Sequence, residues 1–341
     1  MGAPIVYRWD DPGAPVFTAG PHGMRDVLLG CLVNGYGDKS AAGWSVVYDD
    51  WANGNFSLSN AAQSGVLGLW HPLDSYTQYG PVVYSAEGMV SASTPVNGRS
   101  HSVVVTDTAA LTYGGSDLHY AGYRLTSDGR DWVVVANENF AILIADMHSS
   151  GSSGKMSGNP QPWFETTYAP DMIFFGSVNT LWGGGTSTAP VLGNFVVCGG
   201  SSAHGGVYAN NWHDEYIRSS FIRDTDGSVS VGARYSGFAP LRACDGPADS
   251  VYQVNIRPWL MYSGASSSSS TNLAGKVQYC TVPGLHSYCD VGRYLNQTDC
   301  DTFSPGVDAW EGVVDVGGAP FIYGTIGYSN NVFISLAASD W

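Results

Sequence analysis

The chain has 341 residues, 44% of them hydrophobic, which supplies ample apolar surface for burial and excludes a disordered polymer; the length suits two domains better than one small sandwich. Charged residues make up 13%, about half of the roughly 25% usual in soluble domains, so Gly, Ser, Thr, Asn and Tyr must cover much of the surface, as they do where subunits pack on one another. With 14 basic against 29 acidic residues, lysine only at Lys39, Lys155 and Lys276, and a net charge of −15, the chain lacks the cationic runs that nucleic acid or an anionic membrane surface would need.

The first predicted element is a short amphipathic helix at about 22–34. Met24, Val27, Leu28, Cys31 and Leu32 recur at helical spacing and form one apolar stripe, with Pro21 near the first turn and Gly35 past the last. Beyond a loop over 35–43, Trp44, Val46 and Tyr48 alternate with Ser45 and Val47 and predict a strand. From there the chain is written for strands: Val-, Ile-, Tyr- and Phe-rich runs at 65–70, 81–85, 102–106, 118–124, 132–136, 140–145, 172–176, 194–198, 228–234, 251–256, 276–281, 312–316, 320–326 and 331–337, with turn residues between them. Asn137–Asn139 reads as a three-residue hairpin loop and Gly317–Gly318 as a two-residue turn. The expected fold is therefore all-β, antiparallel sandwich or barrel-like sheets with one short N-terminal helix and long Gly/Ser-rich loops. Polar stretches at 151–162 and 263–271 suggest a soft boundary near residue 150, separating a β-domain over 1–150 from a β-rich domain over 151–341; a single large β-domain with insertions is the alternative.

Candidate chemistry is sparse. His213, Asp214 and Glu215 put a base beside two carboxylates, but neighbours on a strand point to opposite faces, and a polar turn with Arg218 pairing an acid is the plainer account. Trp163, Trp182 and Trp212 lie near Gly-rich loops, where they could stack on sugar rings or serve as core and subunit contacts. Cys280, His286, Cys289 and Cys300 have the right donors for zinc but lack the tight C-x2-C knuckle, so no metal is assigned. Cys31 and Cys198 read as small buried hydrophobes, and free thiols are expected throughout, with a Cys289–Cys300 disulfide conceivable once the chain leaves the cytoplasm. Asp224, Asp226 and Ser228 begin like a calcium loop without its distal Glu and read as a β-turn. The run Trp182–Thr188 has glycines but no Lys, so it is no phosphate loop, and no nucleophile elbow stands out. No catalytic residue, cofactor or enzymatic activity is expected. The opening residues show no basic start followed by an apolar run, and no window is apolar enough for a membrane span, which points to folding in a cytoplasm and makes the sequons at Asn55 and Asn296 accidental.

One block goes further. YRWDDPGAP (Tyr7 to Pro15) and MRDVLLGCLVNGYGDKSAAGW (Met24 to Trp44) resemble the N-terminus of a group of virion structural proteins of tailed bacteriophages, in which a short helix ends in CLVNGYG and AAGW follows. The likeness continues at Asp131–Asp146, at Pro283–Leu285 followed by Asp301–Phe303, and at Asn331–Trp341, and departs at 149–162, 201–215 and 263–271. The resemblance implies a particle component without a shared catalytic set: a symmetric homo-oligomer contacting other virion proteins, assembled in the host cytoplasm, at the neck, tube surface or baseplate of the tail, or alternatively a decoration protein on the head. The aromatic content and acidic charge keep open a carbohydrate-binding or carbohydrate-cleaving appendage with a host surface glycan as partner.

Overall fold

The structure, a computed structural model, describes residues 2–18, 22–71, 81–100, 103–105, 107, 131–145, 171–182, 190–200, 217–223, 229–230, 233–234, 250–256, 259–260, 277–289, 310, 312–316, 318–326 and 330–341. The chain is all-β. Strand β1 (Ile5–Arg8) precedes helix α1 (His22–Leu28), which runs on as a π-helical segment, Leu29–Asn34. Then follow β2 (Ser45–Asp50), a 3-10 turn at Trp51–Asn53, β3 (Asn55–Ser59), β4 (Val66–Trp70), β5 (Val82–Ala86), β6 (Gly88–Ser91), β7 (Thr94–Val96), β8 (Gly98–Ser100) and β9 (Val103–Val105). The middle of the chain supplies β10 (Trp132–Ala136), β11 (Phe140–Ala145), β12 (Asp171–Trp182), β13 (Pro190–Gly200), β14 (Ile217–Arg223), β15 (Val229–Ser230) and β16 (Ala233–Arg234). The remainder adds β17 (Ser250–Ile256), β18 (Trp259–Leu260), β19 (Val277–Cys289), β20 (Val313–Val316), β21 (Ala319–Ile326), β22 (Asn330–Ser335) and a 3-10 turn at Ala338–Asp340.

The helical stretch begins and ends where its stripe predicts, and all five stripe residues are buried. Its second half is the wider π-form rather than α. There the carbonyls of Cys31 and Leu32 turn to the returning chain, accepting from Ala42, Gly43 and Trp44 N–H at 3.0–3.1 Å. The alternation expected from Trp44 onward is broken, because β2 pairs β3 with a bulge between Val46 and Tyr48, and Val46 is left 37% exposed. Strands β1, β3, β6, β7, β8, β14 and β18 were not foreseen: five of them have four residues or fewer, Ser and Asn dilute β3 and Arg and Ser dilute β14, although in β3 Phe56 and Leu58 alternate with Asn55, Ser57 and Ser59.

Strands β2–β3–β4–β5–β8–β9 form a six-stranded antiparallel sheet, while β1, β10–β15, β17 and β19–β22 join in a twelve-stranded one; β6–β7 and β16–β18 are separate two-stranded pairs. Phe56, Leu58, Leu67, Leu69 and Val83 of the smaller sheet pack with the α1 stripe onto Trp132, Val134, Leu143, Ile173 and Phe175 of the larger. The opposite faces of β10 and β11, through Val133, Val135, Ile142 and Ile144, pack on Leu285, Ile322, Ile334 and Trp341. Both faces of this hairpin are thus covered, and neither has a solvent side to hold polar residues. That is why the runs WVVVA and FAILIA are continuously apolar.

The larger sheet folds over itself at two corners. Along one edge β12 pairs β11 through Asp171–Gly176 and then β19 through Asn179–Trp182. At the handover Gly176 has φ +135°, and a Cβ there would strike the Asn139 carbonyl oxygen. On β19, Asn179 and Thr180 face Thr281 and Cys280 before the strand moves on to β22 at Leu285–Ser287; between them Gly284, at φ +68°, lets the Trp341 indole lie on its α-carbon. Residue 150 falls between β11 and β12, which pair in unbroken register from Phe140↔Gly176 to Ala145↔Asp171.

Candidate functional site

Three of the segments that carry the resemblance, 7–15, 24–44 and 131–146, meet at one junction beneath α1. Tyr7 Oη donates to Ser40 O at 2.8 Å, Lys39 Nζ to Val6 O at 3.1 Å, and Tyr36 Oη to the Asp11 carboxylate at 2.9 Å. Trp132 Nε1 donates to Pro15 O at 3.1 Å and Trp44 Nε1 to Asn137 O at 2.9 Å, with the Trp44 ring edge-on to Phe175. The same Asp11 carboxylate accepts from Arg8 N at 2.8 Å. Side chains thereby occupy backbone groups of β1, the end strand of the larger sheet, where another strand would otherwise dock. Burial pushes the Tyr7 and Tyr36 hydroxyls and the Cys31 thiol well above their ordinary pKa range, so all three stay protonated at neutral pH. They serve as fixed donors and packing groups, not as a base or a nucleophile.

The hairpin beside this junction is built as its sequence predicts. Asn137 Oδ1 accepts from the N–H groups of Asn139 and Phe140, both at 2.9 Å, closing the three-residue loop as an Asx turn. Asn60 Nδ2 spans to Ser64 Oγ, Asn139 O and Ser177 Oγ, tying the β3–β4 connection to the corner of β12. Asn55 is 5% exposed and donates through Nδ2 to Asn53 O, which is no position for a glycan.

A second polar cluster lies at the start of α1 and was not foreseen. Trp51 Nε1 donates to His22 Nδ1 at 2.8 Å, with His71 against the same indole and the Arg25 guanidinium 5.8 Å from its ring centre. Arg25 also pairs with Asp26 and Asp49 at 2.7 and 2.6 Å. These residues come from three separate stretches, so no local spacing announces them.

Of the zinc candidates, the side chain of His286 is described. It is buried on β19, edge-on to Phe321, with Nε2 3.4 Å from Asp340 Oδ2 and no hydrogen-bond partner at Nδ1. Burial holds its pKa below the ordinary value against the opposing pull of Asp340. Cys280 and Cys289 lie on the same strand, Cys280 beyond the turn at Gly284, and Cys300 lies outside the described residues. Among the described residues no group of three His, Cys, Asp or Glu side chains is placed to hold a metal ion. Trp182 closes β12 opposite Val277, whereas Trp163, Trp212, His213, Asp214, Glu215 and residues 224–228 lie outside the described residues. No helix among the described residues is long and apolar enough to cross a membrane. Compared with protein-family models, curated proteins and solved structures, the chain matches none.

Proposed function

We propose that the chain is a non-enzymatic structural component of a tailed-bacteriophage particle, tail-associated at the neck, tube surface or baseplate, and that it works through contacts between subunits. One observation carries the reading: the large residues of the first three phage-like landmarks are scaffold. Tyr7, Cys31, Leu32, Trp44, Trp132 and Leu143 belong to a single buried cluster. A likeness held in such residues is a likeness of building block, and it leaves the stretches at 149–162, 201–215 and 263–271 to differ as contact surface. A sparsely charged exterior suits burial against copies and neighbours.

The test is quantitative mass spectrometry of purified particles, followed by a map of the intact particle. A copy number in trimeric or hexameric multiples at the tail supports the proposal. Hundreds of copies on the head would give the decoration role instead, and absence from particles would overturn both. The appendage reading makes a separate demand: binding on an array of host glycans, lost in Trp182→Ala or Trp212→Ala.

A further inference from the structure

We propose that His22, Trp51 and His71 form an acid-labile clasp that fastens the start of α1 to the six-stranded sheet and loosens when buried His71 gains a proton. The chemistry of each contact requires neutral imidazole. An indole nitrogen can only donate, so the 2.8 Å contact from Trp51 Nε1 obliges His22 Nδ1 to offer its lone pair, and the proton of His22 must sit on Nε2. A second proton on that ring would set N–H against N–H, and the bond would be lost.

His71 lies against the same indole, ring centroids 6.3 Å apart and tilted by 33°. It is 7% exposed, and its Nε2 has no hydrogen-bond partner. A cation in that position would be buried without an acceptor. The backbone N–H of His71 donates to Gly54 O at 2.8 Å, and the backbone N–H of Gly54 donates to Trp51 O at 2.9 Å, so the main chain that carries both rings is tied to the 3-10 turn.

The surrounding charges do not relieve the cost. From α1, Arg25 already stands over Trp51 and Phe56, at 5.8 and 5.2 Å, and its charge is matched by Asp26 and by Asp49 of β2. Asp50 of β2 accepts from Asn53 Nδ2 at 2.8 Å. Acidification therefore adds positive charge beside an arginine whose two carboxylates are already engaged. The direction for His71 agrees: burial first, then the neighbouring His22, hold its pKa below the ordinary histidine value. A group depressed in this way contributes stability that is complete above the unfolded-state value, about 6.5, and is lost as pH falls through the lower folded-state value.

The experiment is hydrogen exchange of the full chain, read by mass spectrometry on peptides covering 22–34, 51–58 and 66–71. Measurements run from about pH 7.5 to about pH 5 and are corrected for intrinsic exchange. Protection should fall by about tenfold in these peptides and stay level in β10–β11. The paired variant His22→Asn with His71→Phe keeps an acceptor for Trp51 and fills the buried site without a titrating group, so it should hold its protection across the range. Unchanged wild-type protection, or the same acid loss in the variant, would overturn the proposal. Should the variant fail to fold, imidazole nitrogen shifts of the wild-type protein decide: the Nε2–H form of His22 near pH 7.5 is expected, and the Nδ1–H form would be fatal.

Discussion

Leu28 and Cys31 show how little latitude the α1 stripe leaves. Leu28 is 1% exposed and packs in the cluster that joins both sheets, so Leu28→Ala should cost about 2–5 kcal/mol in denaturant unfolding. A change below about 0.5 kcal/mol would mean that the helix is not anchored there. One turn later the Cys31 thiol is held protonated first by burial and then by the nearby Asp11 charge, both of which disfavour a thiolate. Its place in CLVNGYG is therefore explained by volume. The acidic landmarks have structural work of a similar kind: Asp10 is kept ionised by its bond from Arg8, and Asp11 caps the backbone of β1. None of these residues needs a substrate to account for it.

Among the elements, β12 and β19 carry the most topological weight: β12 serves β11, β13 and β19, and β19 serves β12, β17 and β22. On β12, Gly176 makes this feasible at the place where pairing changes hands. Gly176→Ala should destabilise by more than ~1 kcal/mol, since a Cβ there meets backbone and the φ of +135° strains any L side chain. Thermal unfolding of the purified variant would show this, and a melting temperature equal to wild type would disprove the corner's role. The two hairpin turns behave as their sequences predict: Asn137 closes the first with its side chain, and Asp315 Oδ1 accepts from Gly318 N–H at 2.8 Å in the second, with Val316 opposite Ala319. The departures lie in β2, whose bulge removes the simple alternation, and in the helix, whose second half widens to meet the returning chain. Each departure is forced by a partner that arrives from elsewhere in the chain.

For the whole molecule, the path of the larger sheet across residue 150 has an experimental consequence. Ile173 and Phe175 of β12 share a buried cluster with Trp132 and Leu143, and β11 pairs β12 over six residue pairs. Fragments 1–150 and 151–341 expressed apart should each lack cooperative unfolding, whereas mixing or coexpressing them should restore it; two fragments that melt cooperatively on their own would establish independent domains. The net charge of −15 adds self-repulsion that keeps free chains apart, and in the proposed particle it would be offset as subunit contacts form.

Much of the architecture is written locally. A period of 3.6 marked the face of α1, the apolar runs of β10 and β11 announced strands, and Asn137 and Gly318 placed their turns, because each depends on residues within a few positions of one another. The candidate site was far less legible. His22, Trp51 and His71 come together only because α1, the 3-10 turn and the end of β4 pack at one corner, and the same holds for His286 beside Asp340. The sequence by itself determined an all-β chain with one helix and a hairpin turning at Asn137–Asn139, since side-chain periodicity and turn residues act locally. Only the tertiary structure decided which strands pair, where β12 and β19 change partners and which polar groups meet, since those depend on shape and hydrogen-bond complementarity between segments scores of residues apart.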